Sequence, residues 1–148
     1  MSTTLAGILL GVLGFQELIL LFLIIIILLP VIFFLITVQN TFNAVSPENR
    51  KMDGGLVWLT LIPLFGLVWQ FIIVNRMADS LKLEFAKRNI STNEARPGIN
   101  LGLAFCILFC CSIIPFVNII TSIAGLVCWI MYWVKINEYK SKLSTPLL

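Results

Sequence analysis

A single carboxylate interrupts the first apolar stretch of the sequence. Glu17 is surrounded by Leu, Ile and Phe, and the next acidic residue is Glu48. Carboxyl groups inside a membrane are costly and usually serve a proton or cation site. The alternative is a structural position at the membrane interface, in the first turn of a helix, where the helix dipole favours an acid. The sequence favours the structural position and leaves a proton or cation site at Glu17 as the alternative.

Four cysteines provide the only thiols, and their spacing could suit a soft metal ion. Cys106 and Cys110 are four residues apart and therefore share a helical face. However, the chain has no histidine, no C-x-x-C motif and no charged residue among these cysteines. Cysteine is also a small apolar residue that packs well. We interpret all four as packing residues, with thiol redox chemistry or metal binding as the alternative: Cys106, Cys110, Cys111 and Cys128.

The absence of histidine excludes whole classes of chemistry. It removes imidazole acid–base catalysis, the Ser-His-Asp triad and every histidine-based metal motif. The formal net charge of +3 is modest, and no basic and aromatic surface is available for nucleic acid. The sequence therefore predicts a protein without enzymatic activity, with no catalytic residue, no metal, no cofactor and no nucleic-acid partner.

The composition predicts that lipid is the solvent of this chain. Hydrophobic residues make up 59% of the 148 residues and charged residues 11%, far from the usual proportions of soluble proteins. Charges are absent from three long stretches, which are 18–47, 54–75 and 97–134. A membrane core of about 30 Å requires about 20 apolar residues per span. We predict one integral-membrane domain over 1–148, an all-α bundle of four hydrophobic segments at about 16–38, 56–75, 99–114 and 117–134.

Proline and helical periodicity add detail to the first two segments. Pro30 predicts a kink in the first helix. Pro63 and Gly66 interrupt the second segment, which continues into an amphipathic helix at about 76–88. Every fourth residue of that helix is apolar, so that one face is predicted to lie on the membrane surface or to dock a partner helix. This face consists of Met77, Leu81 and Phe85.

Two polar features have local structural interpretations. Ser46, Pro47 and Glu48 form a helix-start signal, with a capping serine, a proline at the first position and an acid in the first turn. Glu84 and Arg88 have the spacing of a weak ion pair along one helix.

Aromatic and polar residues of the segments are predicted to position and pack the helices. Aromatic rings near segment ends are typical of membrane interfaces, which we assign to Trp58, Trp69, Trp129, Tyr132 and Trp133. Polar and small side chains support close helix contacts in lipid. We assign this packing role, with a polar path as the alternative, to Gln70, Asn100, Asn118, Thr121 and Ser122.

The distribution of basic residues indicates the orientation. With four spans, eight basic residues share the side of both termini, against Arg50 and Lys51 on the other side. Both termini are then cytoplasmic. In the alternative, the second segment is a re-entrant hairpin broken at 63–66, all ten basic residues share one side, and the N-terminus lies outside. Charge favours the hairpin and segment length favours four spans; we expect four spans.

The stretch 43–65 resembles a known group of proteins. It reads NAVSPENRKM at 43–52, GLVWL at 55–59 and IPLF at 62–65. It is similar to small, uncharacterised bacterial multi-pass membrane proteins with a PENR-x-M…G-x-V-W-L…IPLF pattern, over roughly residues 30–140. The resemblance implies a bacterial inner-membrane location and brings no known activity, substrate or catalytic residue.

The sequence favours two function classes. The first is a multi-pass membrane protein that scaffolds, anchors or regulates a membrane partner, which can be another protein or a second copy of this chain. The alternative is a small oligomeric transporter or proton-coupled exporter that uses Glu17. Four short spans with one acid in the first resemble the gross plan of small multidrug-resistance exporters. A membrane-embedded thiol enzyme using Cys110 or Cys111 is a third class.

Overall fold

The computed structural model describes Gly7 and residues 14–144, and the regular elements of those residues are all helices, without strands. The main elements are α1 (Phe15–Ala44), a 3-10 helix (Gly54–Leu61), α2 (Phe65–Lys87), α3 (Ile99–Cys111) and α4 (Asn118–Ser144). The chain divides into two units, Met1–Phe34 and Leu35–Leu148. The all-α class predicted from the sequence is therefore confirmed over the described residues.

Two helices, α1 and α4, are long and apolar enough to cross a membrane. The third apolar helix, α3, has only 13 residues. A bundle of four spanning segments is thus not confirmed.

In the first unit, α1 is apolar on every side. Its large side chains from Ile19 to Leu29 are all at least 44% exposed. Pro30, which was predicted to kink this helix, lies within it. A helix that is apolar all round and not buried in protein suits contact with lipid tails.

The second predicted segment is divided by a turn. Ile62 has an extended backbone, with φ −74° and ψ 117°, because the proline that follows it disfavours the helical region. Leu64 then takes a positive φ of 64°, and α2 begins at the next residue. A Cβ atom on Gly66 would lie 2.0 Å from the carbonyl oxygen of Thr60, so only glycine fits this turn. The stretch 56–75 is therefore two short legs rather than one helix.

In the second unit, buried and exposed apolar residues are separated along the helices. Large buried side chains lie between Leu35 and Val45, between Ile73 and Phe85 of α2 and between Tyr132 and Leu143 of α4, and they include Val57 and Phe105. The exposed apolar side chains lie mostly within 56–72 and 107–134. Part of the packed core thus lies within the charged parts of the chain. We call these parts the polar end: residues 45–53, 76–98 and 135–144.

Two glycines allow the helices of this unit to approach closely. A Cβ on Gly102 of α3 would lie 2.4 Å from Cγ1 of Val74 and 3.0 Å from Cε2 of Tyr132. A Cβ on Gly125 of α4 would lie 3.3 Å from Cβ of Leu108. Close contacts between α2, α3 and α4 therefore depend on positions that carry no side chain.

Candidate functional site

A buried carboxylate is the centre of the polar end. The side chain of Glu84, on α2, is fully enclosed. Its Oε1 accepts hydrogen bonds from Ser46 Oγ at 2.8 Å and from Arg88 Nε at 2.7 Å. Its Oε2 accepts hydrogen bonds from Asn49 Nδ2 at 2.7 Å and from the backbone N–H of Ser46 at 3.3 Å. A carboxylate has about four acceptor positions, so this group is saturated.

The pKa of Glu84 follows from two opposing effects. Burial is the largest single effect and raises the pKa, while hydrogen bonds from Asn49, Ser46 and Arg88 lower it. The hydrogen bonds together prevail, and the pKa of Glu84 lies below its ordinary value. The carboxylate is therefore charged at neutral pH and has a cation and three neutral donor groups around it.

The loop that supplies two of these residues is a single turn. The backbone N–H groups of Asn49 and Arg50 donate to the carbonyl oxygen of Ser46 at 2.9 and 3.0 Å. The helix start predicted at Ser46 therefore does not continue into a helix. The Ser46 hydroxyl donates its hydrogen bond to Glu84.

Further bonds join this loop to α2 and α2 to α4. The backbone N–H of Lys51 donates to Oγ of Ser80 at 2.9 Å, and Glu48 forms an ion pair with Lys87. Nη1 of Arg88 donates to the carbonyl oxygen of Leu143 at 2.7 Å. Loop 46–51, α2 and the end of α4 are thus held together around Glu84. We call this set of bonds the Glu84 lock.

A second cluster joins the connector 88–98 to α2 and α4. Arg96 forms an ion pair with Asp79 at 2.8 Å. Glu94 forms an ion pair with Lys135 and accepts a hydrogen bond from the backbone N–H of Gly98 at 2.6 Å. Burial raises the pKa of Glu94, but Lys135 and the Gly98 N–H together hold it below its ordinary value.

A polar cleft of about 210 Å³ lies beside this second cluster. Its two lysines, Lys135 and Lys142, are each paired with a carboxylate, Glu94 and Glu138 respectively. The cleft therefore has no uncompensated charge with which to attract an ionic substrate.

The carboxylate predicted as a proton or cation site lies at the start of α1. Oε2 of Glu17 accepts a hydrogen bond from the backbone N–H of Gly14 at 3.1 Å, in an exposed position. This geometry is that of an acid bonded to the free backbone donors at a helix N-terminus.

The cysteines do not form a cluster of ligands. Cys106 is buried and the other three are partly exposed, all as free thiols. Within residues 14–144, no group of three or more His, Cys, Asp or Glu side chains could hold a metal ion.

The aromatic residues assigned to a membrane interface bond to protein groups. The indole N–H of Trp58 donates to Gln39 Oε1 at 2.8 Å, and that of Trp69 donates to the carbonyl oxygen of Leu56 at 2.8 Å. Trp133 Nε1 donates to Oγ1 of Thr37 at 3.0 Å.

Some of these aromatic residues are also packed against other rings. Tyr132 is buried, and its ring lies 5.3 Å from that of Phe105. The ring of Trp129 lies 5.5 Å from that of Trp133.

The polar residues assigned to helix packing bond mainly within their own helix. Thr121 Oγ1 donates to the carbonyl oxygen of Val117 at 2.9 Å, and Ser122 Oγ donates to Asn118 Oδ1 at 2.9 Å. Asn100 is exposed. Gln70 is buried, and its Nε2 has no hydrogen-bond partner among residues 14–144.

The amphipathic face of α2 lies inside the protein. Met77, Leu81 and Phe85 are buried, and the ring of Phe85 packs edge-on against Tyr139 of α4 at 5.4 Å. Glu84 belongs to the same face, since it follows Met77 by seven residues and Leu81 by three. Sequence reasoning missed its role, although this periodicity was the signal that could have revealed it.

Comparisons with models of protein families, with curated protein sequences and with solved structures give no significant match to this chain.

Proposed function

We propose that this chain is a membrane protein without enzymatic activity that anchors, scaffolds or regulates a protein partner at the membrane surface. The Glu84 lock is the observation that supports this role. A catalytic carboxyl group must reach its substrate, whereas Glu84 is enclosed and all its acceptor positions are filled. It holds three segments of the polar end in one arrangement. A binding surface that is fixed in advance in this way loses less entropy when a partner binds.

The charges of the polar end favour an acidic partner. Five of the ten basic residues form ion pairs. The side chains of Lys51, Arg76, Lys82 and Lys140 have no carboxylate partner within residues 14–144, and the first three are exposed. Unpaired surface cations attract and orient a partner of opposite charge. A membrane protein with acidic residues beside its own membrane segment has the matching chemistry.

Cross-linking in living cells tests this proposal. A photoreactive amino acid replaces the exposed Lys82, and illumination is expected to give one discrete adduct. The charge reversal Lys51→Glu should remove the adduct, because it reverses an unpaired cation. Lys142→Glu is the matched control and should leave it, since Lys142 is already paired with Glu138. The proposal is contradicted if the probe gives no adduct in correctly inserted protein, or if both reversals act alike.

A further inference from the structure

Two exposed apolar turns lie on the second unit. The first, 61–65, joins the 3-10 helix to α2, and the second, 112–117, joins α3 to α4. Leu64 is 83% exposed and Phe116 is 97% exposed. Turns that face water are usually built from Gly, Asn, Asp and Ser, and exposed apolar patches mark contact with a membrane or a partner. Neither turn carries a charge, so a hydrocarbon environment suits both.

The ends of the first hairpin lie on one side of any membrane. The backbone N–H of Lys51, before the 3-10 helix, bonds to Ser80 of α2 at 2.9 Å. Glu48, which also precedes the 3-10 helix, forms an ion pair with Lys87 at the end of α2. Atoms in contact cannot be separated by a hydrocarbon core of about 30 Å. The stretch between them must therefore enter and leave the membrane on the same side.

The legs of this first hairpin reach only part of the way across a membrane. The 3-10 helix has 8 residues, which at its rise per residue extend about 16 Å. The uncharged first part of α2, Phe65–Asn75, also extends about 16 Å. Asp53 directly precedes the first leg and Arg76 directly follows the second. These charged residues place the base of both legs at the membrane surface. The turn at Leu64 therefore lies near the middle of a core of about 30 Å.

The second hairpin is also shorter than a full crossing. Its first leg, α3, has 13 residues, or about 20 Å. The uncharged part of α4, from Asn118 to Val134, extends about 25 Å. Glu94 and Lys135 form an ion pair at its base. The turn around Phe116 thus ends inside the hydrocarbon, short of the opposite surface.

Three backbone N–H groups of the first turn are paired, which lowers the cost of placing them in hydrocarbon, whereas the N–H of Leu64 has no backbone partner among the described residues. Ile62 N donates to Leu59 O at 3.2 Å, Phe65 N to Pro63 O at 2.7 Å, and Gly66 N to Ile62 O at 2.7 Å. Pro63 has no N–H to satisfy.

The second turn is paired to a similar extent, and the N–H of Phe116 has no backbone partner among the described residues. Ile113 N donates to Cys110 O at 3.3 Å, Ile114 N to Cys111 O at 3.0 Å, and Val117 N to Ile114 O at 3.3 Å. Pro115 again removes one donor.

We propose that both turns insert into the hydrocarbon of the bilayer from the side of the polar end, as re-entrant hairpins, and that neither hairpin crosses. Within the described residues, α1 is then the crossing helix. All ten basic residues of the sequence follow it, so the polar end is assigned to the cytoplasmic side. This arrangement replaces the expected four spans with cytoplasmic termini, and it does not depend on any protein partner.

Single cysteines at the turns test the insertion. Leu64→Cys and Phe116→Cys are made in a variant that keeps the buried Cys106 and lacks the other three native cysteines. A membrane-impermeant maleimide is added to intact cells, to opened cells and to detergent-solubilised protein. Both sites are expected to label only in detergent. Labelling of either site in intact cells overturns the proposal, because that turn then reaches the outer surface. A disulfide-linked dimer through Phe116→Cys also overturns it, since a second copy then covers the turn.

The native chain provides a second test that needs no substitution. Trypsin is added to the outer surface of spheroplasts, and the chain is followed by its fragments. The proposal predicts that no lysine or arginine is cleaved from outside, and that cleavage at the exposed Lys82 appears when the membrane is opened. Cleavage after Arg50 or Lys51 from outside overturns it, because loop 46–51 then lies on the opposite side.

Discussion

The backbone N–H of Lys51 lies 2.9 Å from Oγ of Ser80, across a hydrophobic stretch that the sequence suggests is a membrane span. Three hydrogen bonds from Ser46 and Asn49 to Glu84 and the ion pair of Glu48 with Lys87 reinforce the same contact. The polar end is thus one packed body whose segments share a side of the membrane. This relationship connects the Glu84 lock with the proposed topology.

Replacing Glu84 by glutamine should destabilise the polar end strongly. The substitution keeps the size of the side chain but leaves Arg88 without its buried carboxylate, and breaking such a pair costs about 3–5 kcal/mol. Thermal unfolding in nanodiscs measures the effect. Glu138→Gln is the matched control, because the pair of Glu138 with Lys142 is exposed to solvent and should contribute little to stability. Equal midpoints for the two variants would refute the lock.

Acid should weaken the same region. The pKa of Glu84 lies below its ordinary value of 4.5 when the chain is folded, so folding favours the charged carboxylate. Its contribution is fully present above the ordinary value and is lost as the pH falls from there through the lower, folded pKa. Glu94 acts with the same sign. Unfolding midpoints measured from pH 7 to pH 3 should fall less in the Glu84→Gln variant than in the native chain. A parallel fall would show that Glu84 does not contribute.

Much of the helical layout could be predicted from the sequence, whereas the lock could not. Apolar runs and the breaker at Pro63 act over a few residues, so the segments near 16–38, 99–114 and 117–134 are close to α1, α3 and α4. The bonds between Ser46 and Glu84 join residues 38 positions apart, and no local pattern identifies such a pair. Counting residues also favoured a crossing at 56–75, because it assumed one continuous helix.

A charge at the tip of the second hairpin should be costly. Phe116→Arg places a guanidinium in hydrocarbon, which costs about 2.5–3.5 kcal/mol near the centre of a bilayer. Ser91→Arg is the control, because Ser91 is exposed on the connector of the polar end. Because α1 alone would keep the chain in the membrane, insertion of the turn is measured by labelling Val117→Cys with the impermeant maleimide in opened cells. Labelling is expected with Phe116→Arg and not with Ser91→Arg; labelling with both would indicate that the turn reaches water or headgroups.

Glu17 is expected to be dispensable for ion movement. Its carboxylate bonds to the Gly14 N–H at the start of α1, so Glu17→Gln should not change proton flux. The protein is reconstituted in vesicles with a pH-sensitive dye and an imposed pH gradient. A flux that is present in the native chain and lost in Glu17→Gln would instead favour the proton-coupled exporter.

The most direct test of the account compares the sidedness of Lys51 and Lys82. Each is replaced by cysteine in the background described above, and intact and opened cells are treated with the impermeant maleimide. With both loops on the cytoplasmic side, neither site labels in intact cells and both label once the cells are opened. Labelling of Lys51→Cys but not Lys82→Cys in intact cells would contradict this topology, because the stretch 56–75 would then cross the membrane.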